Sequence, residues 1–425
     1  MLCRKVTYKL YPNERQREQL QAWTALHCEL YNAALQERIE AYRKQGLSIG
    51  YYDQQNMLPA IKKDRPDLVP LGSHALQQTL RKLDIAFAAF FRRVKAGQTP
   101  GFPRFKSSRR FAGFCYPDRA GWKLQAKGTK GATIRIGSGG GAMSIRARGR
   151  HRFGPGAQPN DLTVLRKGDQ WYASVTLKVV ETDCARERKS EIYRGIDFGV
   201  THWATFEDGA TIDNPRFLRE ELPALARLQR ERARKRKGSI RYRRLSRRIA
   251  RLHERIGNKR RDFLHKQTTQ LVESCAVIAT EALATGNMSR SARGTVAQPG
   301  RRVKQKSGLN REILSVGLAM AHQMLEYKAA EAGTRWHVAN TRQLKPTQRC
   351  SKCWAVAPKT LSQRVHRCQS KGCGHIAPRD QNSAAVVLID ACTPGTGVTA
   401  RLEPLVPSAK RRSKTRETPA INEQF

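Results

Sequence analysis

The chain has 425 residues and carries 80 Lys and Arg against 35 Asp and Glu, a formal net charge of +45. That length leaves room for two or three domains with an ample core, and a charge so far beyond what solubility needs makes nucleic acid the natural partner. No run approaches the ~18 apolar residues of a spanning helix and no signal-peptide core follows Met1, so the expected place is the cytosol, beside the nucleoid, with no membrane role. Ten cysteines in such a chain are too sparse for a disulfide framework.

Residues 3–10 alternate (Val6, Tyr8 and Leu10 on one face) and predict a strand, after which Pro12-Asn13-Glu14 opens a helix carrying Leu20, Trp23, His27, Leu30 and Ala34. A second helical stripe, Leu76, Leu80, Leu83, Phe87, Phe90 and Val94, starts after Gly72-Ser73, with Ser73 as its N-cap. The stretch between, Gly46 to Pro70, reads as loop-rich, and both stripes read as core rather than as a base-stacking surface. Gly97 to Lys106 then forbids helix with two Pro and two Gly, while Phe102, Arg104, Phe105 and Lys106 alternate ring and cation. This pattern either stacks bases while pairing phosphates or makes a rigid turn with one buried Phe. From Phe111 to Val180, short alternating runs split by Gly-rich turns predict a small β-barrel or sandwich that the first strand joins; Gly137 to Gly141 precedes no helix and is no phosphate loop.

Glu181 to Ser190 reads as a charged linker. Beyond it, Gly195-Ile196-Asp197-Phe198-Gly199-Val200-Thr201 is an apolar strand with one carboxylate in its middle, followed by a hairpin turning at Glu207-Asp208-Gly209. Two helices broken at Gly238-Ser239 come next, with a seam at Leu245, Ile249, Leu252 and Ile256. About half of Arg227 to Arg261 is Lys or Arg, and charge of one sign along a helix repels itself unless an anion lies on it. Arg234, Lys235, Arg236, Lys237, Arg243, Arg244, Arg247, Arg248, Lys259, Arg260 and Arg261, with Arg104 and Lys106 earlier, are the candidate nucleic-acid contacts. The second helix runs on through His265 to Ala276 into a strand, Val277 to Glu281. Thr285 to Gly308 reads as a mobile loop or lid, Asn310 to Ala332 as a helix and Thr334 to Val338 as a strand. From Thr393 onward a basic tail with Lys410-Arg411-Arg412 reads as disordered.

An ionised Asp on a buried strand costs several kcal/mol unless a positive charge compensates it. Asp197 in the first strand, Glu281 ending a later one and Asp380 in a helical first turn, Arg379-Asp380-Gln381-Asn382, are carboxylates of the kind that hold two Mg²⁺ ions for phosphodiester hydrolysis. Taken singly, they also read as a strand-end turn, an exposed strand terminus and an N-cap. Asp197-Phe198-Gly199-Val200-Thr201 satisfies the D-x-G-x-T loop of actin-like ATPases too, but no second such loop or adenosine site follows. Cys350-x2-Cys353, fourteen residues, then Cys368-x4-Cys373 offers four thiolates from two knuckles for a structural Zn²⁺, with His366 and His375 as substitute ligands.

Several segments in this order resemble the TnpB (OrfB-type) proteins of bacterial insertion sequences, relatives of the type V CRISPR effectors. They are Lys9-Leu10-Tyr11-Pro12, Pro100-Gly101-Phe102-Pro103-Arg104-Phe105-Lys106, Gly195-Ile196-Asp197-Phe198-Gly199, Asn214-Pro215-Arg216-Phe217, Asn258 to His265, the Glu281 strand, the cysteine set and Arg379-Asp380-Gln381-Asn382. The resemblance implies an α/β chain with an all-β part: a wedge-type β-barrel (1–11 and 97–182) with a helical recognition insertion (12–96), then an RNase H-like RuvC nuclease domain (191–345 and 376–392) interrupted by a zinc ribbon (346–375), and the tail (393–425). It implies an RNA-guided DNA endonuclease that takes a guide RNA from the element's end, recognises a short motif beside a double-stranded DNA target and cleaves with Asp197, Glu281 and Asp380. A non-cleaving RNA-guided DNA-binding protein and an accessory transposition factor are the alternatives. Ala282, the C-x4-C knuckle and Trp354 depart from the usual family pattern, which more often has Asp, C-x2-C and Gly there.

Overall fold

The computed structural model describes residues 2–108, 110–149, 158–179, 191–360 and 362–393. The expected linker at 181–190 and the expected tail beyond Thr393 lie outside them. The described residues fall into two compact units, drawn from Met1–Ala185 with Leu228–Arg251 and from Arg186–Arg227 with Leu252–Phe425.

In the first unit the alternating N-terminal segment forms β1 (Leu2–Tyr11) and leads into α1 (Glu14–Gln45). Asn13 caps that helix reciprocally with Gln16: Asn13 Oδ1 accepts from Gln16 N at 2.8 Å and Gln16 Oε1 accepts from Asn13 N at 3.2 Å. The loop-rich expectation for 46–70 is corrected by α2 (Tyr51–Asp64), which forms around Pro59 because it has a face to bury. Leu58 enters the core, and Gln54 Nε2 donates to Ala34 O at 2.9 Å. α3 (Ser73–Lys95) has Gly72, at φ +84°, in the cap position, so Ser73 is the first helical residue and not the N-cap. The strands β2 (Gly113–Tyr116), β3 (Trp122–Lys127), β4 (Gly131–Ile136), β5 (Met143–Arg148), β6 (Gln158–Lys167) and β7 (Gln170–Val179) complete an antiparallel sheet. Its order is β2-β6-β7-β1-β5-β4-β3, so the first strand joins the sheet as expected and stands at its centre. Trp23, His27, Leu76 and Leu80 pack against Phe114, Ile134, Ile145 and Val175, so helices and sheet bury one another's apolar faces. The α3 stripe does not stay buried to its end: Phe87 and Phe90 are half-buried and Val94 is 49% exposed.

The second unit is built on a mixed sheet of β8 (Tyr193–Phe198), β9 (His202–Phe206), β10 (Thr211–Asp213), β11 (Val277–Glu281) and β12 (Arg335–Ala339), in the order β10-β9-β8-β11-β12. The first three form an antiparallel meander turning at Gly209, and β11 and β12 add on in parallel. Between them the chain makes α4 (Phe217–Ala233), α5 (Ile240–Ser274), the short α6 (Thr285–Met288), α7 (Val303–Val316) and α8 (Leu318–Ala332). Beyond β12 come α9 (Thr341–Leu344), the hairpin β13 (Val365–Arg367) and β14 (Ile376–Pro378), and α10 (Arg379–Cys392). Ile196, Phe198 and Ile278 face Leu264 and Leu271 of α5 and Ala321 and Leu325 of α8. Val277 and Ala279 face Val386, Val387 and Ala391 of α10, so alternate residues of one strand serve helices on opposite faces.

One expectation is corrected here. The single helix from Asn310 to Ala332 is broken at Gly317 (φ +78°), where a β-carbon would stand 3.0 Å from Arg260 Cδ and 3.1 Å from Leu264. The segment expected as a mobile loop or lid, 285–308, contains α6 and the start of α7, and Lys306 Nζ donates to Met288 O and Asn310 Nδ2 to Ser289 O. Among the described residues no helix is long and apolar enough to cross a membrane.

Candidate active site

The parallel register pairs Thr280 with Ile196. The next residues along, Glu281 and Asp197, therefore stand side by side on neighbouring strands and on the same face. That face, two residues back, carries Gly195. A β-carbon there would lie 2.1 Å from the carbonyl oxygen of Ala384, so α10 crosses β8 main chain against main chain. Asp380 lies one helical turn before Ala384 and Asp197 two residues after Gly195. The crossing that demands glycine is thus the one that brings Asp380 to the two strand carboxylates.

Burial of Asp197 comes first among the causes that raise its carboxyl well above the usual carboxylate range; the Glu281 and Asp380 charges add to it, and Arg379 opposes them. Glu281, 8% exposed, is also raised by burial and by Asp380. Ser383 Oγ donates to Glu281 Oε1 at 2.8 Å and, with Arg379, holds that rise in check. Arg379 pairs with Asp380 at 3.2 Å. Among the described residues no Lys or Arg forms an ion pair with Asp197 or Glu281. The result is a pocket of negative charge with one arginine against three carboxylates, a set that calls for cations.

The second site is tighter. Cys350, Cys353, Cys368 and Cys373 have all four sulfurs within 4.8 Å of one another, with Cys350 Sγ 3.8 Å from Cys373 Sγ and Cys353 Sγ 3.4 Å from Cys368 Sγ. Zn–S bonds of ~2.3 Å in a tetrahedron give sulfur edges of about 3.8 Å, so the set fits zinc. The Ala355 backbone N–H draws the Cys353 thiol down to about 7, while burial pushes Cys368 up to about 12 and Cys350 up as well. Among the described residues this is the only group of three or more His, Cys, Asp or Glu so closely gathered; the three carboxylates stand wider apart. His366 and His375 are outside it, and His375 Nε2 instead lies 3.2 Å from Ser351 Oγ. The residue after the second cysteine of each knuckle has positive φ, +60° at Gly374 and +65° at Trp354. At Trp354 a bulky side chain occupies a conformation that costs roughly 1–2 kcal/mol. Its ring lies under the Arg349 guanidinium at 5.1 Å, and Arg349 Nη1 donates to its carbonyl.

The two sites meet on four successive residues of α10, of which only Asp380 is visible in the sequence as a site residue. Gln381 Nε2 donates to Glu207 O beside the β9–β10 turn. Asn382, buried, accepts from Ser351 N at 3.0 Å and donates to Arg349 O at 2.7 Å, clamping the first cysteine knuckle. Ser383 holds Glu281. A polar residue in a helix carries no signature of its partner; only the spacing from Asp380 marks these positions.

Of the candidate nucleic-acid residues, Arg234, Lys235, Arg236 and Lys237 lie in the exposed turn between α4 and α5, with Arg243, Arg244 and Arg248 exposed on α5. Leu245, Ile249, Leu252 and Ile256 are buried along the opposite stripe, as their spacing predicts. Arg247 is tied to Asp169 at 3.6 Å and Lys259 to Glu221 at 3.6 Å. Arg261 Nη1 is 3.4 Å from Asn258, and Arg260 is half-buried against Gly317, its Nε without a partner. Arg104 is exposed, and Lys106 Nζ sits 3.9 Å over the Tyr31 ring.

Residues 175–292, which include Asp197 and Glu281, match the family model described as "Probable transposase". Residues 319–387 match "Cas12f1-like, TNB domain" and residues 1–46 "Helix-turn-helix domain". In this chain those first residues fold as one strand and one long helix. The chain is 33% identical over 393 residues to a protein of Escherichia coli (strain K12) named "Putative RNA-guided DNA endonuclease InsQ", covering 90% of each. It belongs to the TnpB (OrfB-type) family. A second relative, "Putative RNA-guided DNA endonuclease" of Streptomyces pristinaespiralis, is 29% identical over 91% of this chain and 88% of that protein. Among solved structures, the fold is similar to the chain titled "Cryo-EM structure of the Cas12f1-sgRNA-target DNA complex", with a TM-score of 0.57, 13% identity, and 88% and 83% of the two chains covered. That TnpB-type membership accounts for the mixed α/β architecture and its antiparallel sheet.

Proposed function

We propose that this TnpB-type protein is an RNA-guided DNA endonuclease that hydrolyses target DNA at Asp197, Glu281 and Asp380. The observation that carries the reading is the meeting of the three: Glu281 beside Asp197 in a parallel register, and Asp380 brought to them by the Gly195–Ala384 crossing. The names of the relatives support it. On this reading the first unit supplies a wedge-type barrel (1–11, 97–182) and recognition insertion (12–96), and the five-stranded sheet is an RNase H-like RuvC domain (191–345, 376–392). Residues 346–375 are its zinc ribbon. Base pairing with the guide RNA chooses the target, and the protein reads a short flanking motif and holds the heteroduplex backbone through the exposed α4–α5 arginines and lysines.

Asp197, Glu281 and Asp380 would hold two Mg²⁺ ions, and the burial of Asp197 and Glu281 without an ion-pair partner fits that role. Such a pair, when bound, activates water and stabilises the leaving oxygen of a phosphodiester. Ser383 keeps Glu281 in one orientation, and Arg379 steadies Asp380. The four cysteines would hold a structural Zn²⁺, with no position left open for water.

Purified ribonucleoprotein incubated with a matching plasmid and Mg²⁺ tests the reading. The nuclease linearises the plasmid, and Asp197→Ala stops cleavage while RNA-dependent DNA binding remains. Binding without cleavage by the unaltered protein would favour a non-cleaving DNA-binding role, and cleavage by Asp197→Ala would overturn the carboxylate assignment.

A further inference from the structure

The end of α3 and the loop after it carry an aromatic cluster that touches the core only through Phe87 among its rings and leaves others exposed. Phe87, Phe90, Phe91 and Phe102 form a ring cluster: Phe102 meets Phe87 at 5.6 Å and Phe90 at 5.3 Å edge-on, and Phe91 meets Phe90 at 5.1 Å. Phe91 is 54%, Phe102 47% and Phe105 55% exposed. The loop presenting the last two is braced. Pro103 is buried, and Asn32 grips the chain from both sides, accepting from Lys106 N and donating to Lys106 O at 2.8 Å each. Side chains on so fixed a backbone lose little freedom on binding.

The electrostatics choose the occupant. Residues 85–110 hold seven Lys and Arg and no Asp or Glu; Arg92, Arg93, Lys95 and Arg104 are exposed, and Arg93 Nη1 reaches Gly101, next to Phe102. A second copy of this chain would set like charge against like. A nucleic-acid duplex brings phosphates but hides its base faces. Unpaired nucleotides bring both phosphates for the arginines and flat faces for the rings. Open aromatic clusters are a liability in a free protein and are best covered by a resident partner, and of the two nucleic acids in the reading above only the RNA is resident. We infer that the exposed rings of Phe91, Phe102 and Phe105, with Arg92, Arg93 and Arg104 beside them in the chain, bind unpaired nucleotides of RNA by stacking. This rests on that reading only in taking RNA as the resident nucleic acid.

The test uses the full chain freed of nucleic acid at high salt, a short single-stranded RNA carrying 2-aminopurine, and no divalent cation. Stacking should quench the probe. Phe105→Leu, which keeps an apolar side chain at an exposed position, should weaken binding about tenfold with an unchanged melting temperature, and Phe102→Leu should act in the same direction. Arg104→Gln should lower the salt dependence of log K by about 0.7. Equal affinity of Phe105→Leu and the unaltered protein would overturn the proposal. So would a preference for single-stranded DNA of the same sequence, an equal loss with duplex RNA, or a dimer in sedimentation that Phe105→Leu dissolves. Because no cation is present, these outcomes are independent of whether Asp197 supports cleavage.

Discussion

The carbonyl oxygen of Ala384 occupies the space that a side chain on Gly195 would need, 2.1 Å from the position of its absent β-carbon. Nothing about φ makes this glycine obligatory, since its backbone is ordinary strand; the requirement comes entirely from the helix lying on it. The contact sets the height of α10 above β8, and so the distance between Asp380 and Asp197.

Gly195→Ala should therefore damage the site more than the fold. The helix has to lift by an ångström or more, costing about 1–3 kcal/mol of stability. A displacement of that size at a reacting centre costs on the order of a hundredfold in rate. Thermal unfolding and plasmid cleavage on the same preparation separate the two effects; a drop in rate no larger than the drop in folded fraction would refute the positioning role.

Ser383→Ala leaves Glu281 buried without its hydroxyl donor. A hydrogen bond to a charged group contributes roughly 1.5–3 kcal/mol, so the carboxylate becomes harder to keep ionised in one orientation. Cleavage should need several-fold more Mg²⁺ to reach half its maximal rate, and Ser383→Thr, which retains the hydroxyl, should recover most of the loss. An unchanged Mg²⁺ requirement in Ser383→Ala would show that this bond does not matter to the site.

What could be read before the structure and what could not divide along one line: whether the residue's signal is local. The cysteine spacing and the apolar strands around Asp197 and Glu281 are local patterns, and the structure brings the four sulfurs together. Pro12-Asn13-Glu14 likewise marks the start of α1, where Asn13 closes a box with Gln16. α2 went unread because Gly46, Gly50, Pro59 and Pro66 outweigh its apolar face, and only the burial of Leu58 and Gln54 shows what holds it. The break at Gly317 depends on Arg260 and Leu264 passing close by. Ser383 and Asn382 matter through partners 102 and 31 residues away, which no helical period reveals.

Asn382 joins the cysteine knuckle to the helix that carries Asp380, so the metal should be felt at the carboxylates. Asn382→Ala strands the Ser351 N–H and the Arg349 carbonyl, at a cost of about 1–3 kcal/mol. Zinc content measured by mass spectrometry should stay near one per chain while cleavage falls, since the four sulfurs are untouched. Stripping zinc with a chelator should lower cleavage as well. Full cleavage by zinc-free protein would refute the link.

His27 gives the first unit a dependence on acid. It is buried, stacked on Phe114 at 4.9 Å and 2.7 Å from Thr79 Oγ1 through Nδ1, while Nε2 has no partner. Burial, helped by Lys82, takes its pKa down from 6.5 to about 3. Because the folded value lies below the unfolded one, the unfolded chain binds the proton first. The contribution of neutral His27 is therefore complete above about pH 6.5 and is lost as pH falls towards 3, at up to about 1.4 kcal/mol per pH unit. His27→Gln, which can keep the bond to Thr79, should flatten the fall in unfolding free energy between pH 6 and pH 4 relative to the unaltered chain. Parallel curves for the two proteins would mean that the imidazole takes its proton without opening the core.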